Sequence, residues 1–178
     1  MAALNLGRCN PMTLTIVSDW LATGLAMGLG ATLAIDLWAQ LLRRGAGIGS
    51  TDWALVGRWV AGLTHGRLQL SAERSRRPER GDLLLGWLTH YAVGIAYALI
   101  YLAMAQASLF GISLPSALLF GLVTVLAPWL ILQPALGKGA FASATAKPGM
   151  TRLQNLAVHL LFGAALYTSW LLAANPNG

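Results

Sequence analysis

The chain has 178 residues, of which 56% are hydrophobic and only 10% charged, where a soluble domain carries about a quarter charged residues. Six acids and twelve Lys and Arg, with a mean hydropathy of +0.61, are too few charges to clothe a water-facing surface, and a single cysteine, Cys9, excludes a disulfide framework or a Cys-rich metal site within one chain. The net charge of +6 sits in loops between apolar runs, where it reads as a topology signal and not as a nucleic-acid footprint.

Taken in order, residues 1–20 form an N-terminal extension whose apolar part, 12–20, reads as an interfacial start to the first helix. A cleaved signal peptide is the rival reading. Asp19 and Trp20 interrupt the apolar stretch that such a peptide requires. Four runs are long enough to cross a hydrocarbon core about 30 Å thick, which takes roughly 20 helical residues: about 21–42, 83–106, 115–133 and 153–174. The predicted fold is therefore all-α, an integral membrane four-helix bundle over residues 21–174. The loop 43–82 carries a short amphipathic helix at 51–63, with Trp53, Val56, Val60 and Leu63 near helical spacing, Ser50 or Thr51 as N-cap and Asp52 in the first turn. Trp53 and Trp59 suit a headgroup boundary, so this helix is expected to lie on the inner leaflet. The run Glu73–Asp82 reads as a charged, solvated turn.

Arg43, Arg44, Arg58, Arg67, Arg74, Arg76, Arg77 and Arg80 lie between the first two spans, and Lys138, Lys147 and Arg152 between the last two, so eleven of the twelve bases share one side. The positive-inside rule makes that side cytoplasmic and leaves both termini outside.

Polar residues within the spans are the informative feature, because an ionisable group in hydrocarbon is costly and usually faces the bundle interior. Gly24, Gly28, Thr32, Asp36 and Gln40 recur every four residues in span one; Gly86, His90, Gly94 and Ala98 do so in span two, beside Tyr97; Asn155, His159, Gly163 and Tyr167 do so in span four. At 1.5 Å per residue, Asp36, His90 and His159 each fall roughly 9–10 Å inside the cytoplasmic end of their helix. They are expected to share one layer, a ligand or proton site in which Thr32, Tyr97 and Tyr167 supply further hydrogen bonds. In the second loop, Lys138 between two glycines, with Ser143 and Thr145, suggests an anion or headgroup site. No metal-ligand cluster, activated nucleophile or cofactor fingerprint appears, which argues against an enzyme. Two histidine segments look alike, His90-Gly94-Tyr97 and His159-Gly163-Tyr167, and hint at two parallel helical hairpins.

The ordered set GATLAIDLW (30–38), VGRW (56–59), GWLTHYAVGIAYA (86–98), the run from Gly121 through TVLAPWLILQPALGKGAFAS to Ser143, and HLLFGAALY (159–167) resembles the bacterial membrane family known as domain of unknown function 2938. The likeness covers about residues 24–172. It departs from the family pattern in the arginine-rich run before Asp82 and in the first twenty residues. The resemblance implies small multi-pass membrane proteins, hence the bacterial inner membrane, and implies no activity.

The leading functional reading is a membrane protein that binds or translocates a small ligand or protons through the Asp36/His90/His159 layer. One alternative is a b-type haem held by His90 and His159, since two imidazoles at matched depth are what bis-histidine ligation requires; no other cofactor is suggested. Another is an accessory or assembly subunit of a larger membrane complex. The bilayer is the expected partner, together with a homo-oligomer or a larger complex, because four short helices enclose little volume. The topology is checked with fusions: alkaline phosphatase joined after Gly178 is expected to be active, and the same enzyme joined after Ala46 inactive. An active fusion at both sites would overturn the assigned orientation.

Overall fold

The computed structural model describes residues 11–71 and 79–174, with side chains described for 18–71 and 79–173. The helices are α1 (Pro11–Ala46), α2 (Trp53–Leu63), α3 (Asp82–Gln106), α4 (Leu114–Thr124, carried on by a π-helical turn at Pro128–Leu132 and a short turn at Gln133–Ala135) and α5 (Pro148–Ala174). Four segments, Ser18–Ala46, Asp82–Gln106, Leu114–Ala135 and Pro148–Ala173, are long and apolar enough to cross a membrane. Helices satisfy their own backbone groups, which is what hydrocarbon demands.

Local chemistry sets the ends. α1 closes with Arg43 and Arg44 in its last turn, favourable against the helix dipole, and the chain turns out at Gly47 with φ +65°. α2 is capped by Asp52, whose Oδ1 accepts from the amides of Ala54 and Leu55 at 3.0 and 3.2 Å. The carboxylate of Asp52 thus takes the capping role that Ser50 and Thr51 were expected to fill. A Ser113/Ser116 capping box starts α4. Pro128 lacks the amide that an α-helix needs there, and the ladder shifts into a π turn around it.

Tertiary packing runs on small residues. α1 lies against both α3 and α5, and α4 lies against α5. In the α1–α3 interface a Cβ on Gly28 would collide with the backbone of Ile95, and one on Gly94 with Thr32 Oγ1. In the α4–α5 interface a Cβ on Gly121 would collide with the carbonyl of His159, and one on Gly163 with the carbonyl of Ala117. Close backbone approach of this kind drives helix association where lipid tails are as apolar as leucine. The remaining seam, α3 with α4, is filled by rings: Tyr97 and Tyr101 meet Phe120 at centroid distances of 6.3 and 5.3 Å. Outside, Leu21, Leu25, Leu29, Leu33, Leu37 and Leu41 form an exposed leucine stripe along α1, as a lipid-facing helix requires.

The helix of the first loop is docked and not free. Its Val56, Gly57, Arg58 and Gly62 are buried against the first turns of α3, where a Cβ on Gly57 would strike the carbonyl of Asp82 and one on Gly86 the carbonyl of Trp53. Backbone cannot yield as a flexible side chain can. Gly57→Ala and Gly86→Ala are therefore each expected to destabilise the fold by about 1–3 kcal/mol. Gly45, with open space around its Cβ position, should tolerate alanine or gain up to about 1 kcal/mol. Thermal unfolding of the three variants in one detergent checks this ranking.

Candidate functional site

The arginine-rich end of the bundle contains a buried ion pair. Arg58 of α2 donates through Nε to Asp82 Oδ2 at 2.8 Å, with a guanidinium NH2 at 2.7 Å from the same oxygen, and the two side chains are 3% and 6% exposed. The same oxygen accepts from the amide of Glu79 at 2.8 Å. Asp82 closes a run that reads as solvated, and Arg58 reads as a topology charge. The structure corrects the reading of Asp82, which pairs with Arg58 inside the α2–α3 contact, while residues 73–78 of that run lie outside the described residues. Removing charges from water is costly unless the partner and extra hydrogen bonds compensate, and here both are present.

The α2–α3 contact aims Trp53 at the bundle. Its ring stacks on His90 with centroids 4.0 Å apart, and Trp87 flanks the imidazole edge-on at 5.8 Å. His90 Nε2 lies 3.0 Å from Asp36 Oδ1 of α1, and the Tyr91 hydroxyl donates to Asp36 Oδ2 at 2.9 Å. Both carboxylate oxygens are thus engaged from α3, while the side chains of His90 and Asp36 remain only 11% and 19% exposed. If Nε2 donates to the carboxylate, Nδ1 is the acceptor of the neutral ring, and a proton taken up there gives an imidazolium paired with Asp36. Two helices, α1 and α3, meet at this carboxylate, and α2 adds Trp53 on the His90 ring.

His159 does not join them. Its Nδ1 lies 2.8 Å from Thr124 Oγ1, in the α4–α5 interface, and Thr124 itself donates to the carbonyl of Gly121 at 2.6 Å. The expected three-residue layer therefore divides into two contacts. α3 and α5 stand diagonally in the bundle, each against α1 or α4. His90 Nε2 is engaged by Asp36 in the α1–α3 contact and His159 Nδ1 by Thr124 in the α4–α5 contact, an arrangement that does not fit a bis-histidine haem, and no step is derived through one.

The other expected site residues are dispersed. Thr32 is 1% exposed and its hydroxyl, packed against Gly94, has no hydrogen-bond partner. Tyr97 contacts Phe120 and Phe162, and Tyr167 stacks on Trp170. In the second loop, Gly137 and Gly139 have φ of +74° and +71°, as a nest requires. The loop turns its amides inward, however: Lys138 N donates to Gln133 O at 2.8 Å, Ala144 N to Lys138 O at 2.9 Å, and Ser143 N and Thr145 N to Ala140 O and Ala142 O at 3.1 Å each. Thr145 Oγ1 is likewise spent on Ala142 O at 2.7 Å.

The family model described as "Protein of unknown function (DUF2938)" matches residues 25–173. The chain belongs to this family. The match takes in α2, the last three spans and the first span from Leu25 on, so the Asp36–His90–Tyr91 cluster and the Arg58–Asp82 pair lie within the family domain. No curated protein and no solved structure matches this DUF2938 chain.

Sequence reasoning misses Tyr91, Trp53 and the Arg58–Asp82 pair. Tyr91 falls one residue off the four-residue stripe, and the other contacts join helices across a loop, where periodicity is silent. The signal that existed is the pairing of Gly57 with Gly86, since small residues on two successive helices invite close contact. Breaking the ion pair singly, with Arg58→Met or Asp82→Leu, is expected to cost about 3–5 kcal/mol because a buried charge loses its partner in the pair. The double variant should recover most of that loss. Chemical unfolding in detergent measures all three; equal losses in single and double variants would overturn the pairing as a unit.

Proposed function

We propose that this DUF2938 protein is an inner-membrane protein that binds a proton, or a small ligand carrying one, at the Asp36–His90–Tyr91 cluster near the cytoplasmic side, and that the cluster serves translocation. One observation carries the reading: a carboxylate within a membrane-crossing helix holds an imidazole on one oxygen and a phenol on the other. Such a group is expensive in hydrocarbon and is retained where it handles charge. Imidazole is the side chain whose ordinary titration falls nearest neutral pH, and here its Nε2 lies 3.0 Å from a carboxylate oxygen. Trp53 of α2 covers the ring, so the docked loop helix stands between the cluster and the arginine-rich side. Four helices enclose little volume, and transport therefore calls for a second copy or a larger membrane partner.

Two measurements test this. In proteoliposomes holding a pH-sensitive dye, the wild-type protein is expected to dissipate an imposed pH gradient faster than empty vesicles, and Asp36→Asn and His90→Gln to lose at least about 90% of that excess, the scale on which a group required for the transfer acts. In nitrogen-15 histidine spectra, Asp36→Asn should shift the His90 Nε2 resonance, which loses its carboxylate partner, and leave the His159 resonances, whose partner is Thr124, in place. Unchanged flux in Asp36→Asn, or a wild type no faster than empty vesicles, would defeat translocation; an unmoved His90 Nε2 resonance would defeat the cluster itself.

A further inference from the structure

The opposite end of the bundle holds a cavity of about 470 Å³ between the start of α1, the last turn of α3, the α3–α4 turn and the end of α5. Its volume lies in the range of small-molecule sites, roughly 300–1,000 Å³. Its chemistry is uneven. Trp20, Trp170 and Phe110 bring three aromatic rings to the lining, Gln106 brings an amide, and Asp19 brings a carboxylate. Among the described residues no Lys, Arg or His lines it. Among the described residues no basic side chain pairs with Asp19, whose backbone carbonyl accepts from Thr23 while its carboxylate stays exposed. The other described acids, Asp36, Asp52, Glu79 and Asp82, all lie in or towards the arginine-rich half. A carboxylate with no basic partner among the described residues, on a lining shared with two indoles, attracts cations through its charge and through the ring quadrupoles.

We infer that this pocket binds an ammonium group borne on an apolar body, with Asp19 facing the charge and Trp20, Trp170 and Phe110 enclosing its alkyl substituents. Guanidinium or metal cations are less suited, since the lining offers a single carboxylate and no second hard oxygen ligand of charge. The headgroup of an ethanolamine lipid and a free amine share this chemistry. The pocket is separate from the Asp36 cluster, and the inference does not rest on the proposed transport.

The test uses the full chain labelled with 5-fluorotryptophan in nanodiscs of phosphatidylglycerol, a lipid without an amine. The Trp20 and Trp170 fluorine signals are assigned with Trp20→Phe and Trp170→Phe. Benzyltrimethylammonium is expected to shift those two signals saturably, and its neutral tert-butyl isostere to do so at least about tenfold more weakly, as loss of the charge pairing and cation–π attraction requires. Asp19→Asn should weaken the ammonium ion by a similar factor; Asp19 is exposed, and unchanged Trp53 and Trp87 signals certify the fold. Adding phosphatidylethanolamine separates the sources: displacement of the probe identifies the lipid headgroup, and undiminished probe binding identifies a free amine. Equal binding of the ion and its isostere, unchanged affinity in Asp19→Asn, or a non-saturating shift of every tryptophan would overturn the inference.

Discussion

The contact between α2 and the start of α3 governs the rest of the molecule's arginine-rich end. Gly57 and Gly86 let two backbones approach to a distance that a single methyl group would forbid, and the approach brings Arg58 onto Asp82 away from water. Neither feature is independent. Without the glycines the guanidinium would not reach the carboxylate in a dry setting, and without the ion pair the close contact would bury a lone charge at a cost of several kcal/mol. Together they fix the direction of Trp53, whose ring then lies on His90. A loop helix that composition alone would leave on a lipid surface becomes part of the wall of the polar cluster.

The bundle uses one packing device twice. In α1–α3 and again in α4–α5, a histidine on the second helix bonds to a polar side chain of the first, and a glycine four residues later admits the neighbouring helix, through the Thr32 side chain at Gly94 and the Ala117 backbone at Gly163. His90 meets Asp36; His159 meets Thr124. The hairpins are alike in shape and different in charge. An imidazole against a hydroxyl completes a neutral hydrogen bond that stitches two helices, whereas an imidazole against a carboxylate can hold a proton as an ion pair. The same interface thus serves cohesion in one hairpin and, as proposed, chemistry in the other. Asymmetry extends to the seams: α1 and α5 pack closely, while α3 and α4 are held apart by Tyr97, Tyr101 and Phe120.

The amino-acid sequence by itself determined the four spans, because 20 or so apolar residues have no other stable place than hydrocarbon, and it determined which helix faces turn inward, because glycine and polar residues repeated every four positions in Gly28-Thr32-Asp36 and in Gly86-His90-Gly94. Periodicity names a face and not the neighbour it meets. Only the tertiary structure decided that Asp36 takes His90 while His159 takes Thr124, and that Tyr91, one position off the stripe, completes the carboxylate's shell. It alone placed Arg58 on Asp82, since charges that read as solvated in the chain are buried once two glycines bring their helices into backbone contact. The physical reason is common to all these cases: burial and hydrogen-bond partnership are properties of pairs of elements, and no single helix carries the information about its partner's position.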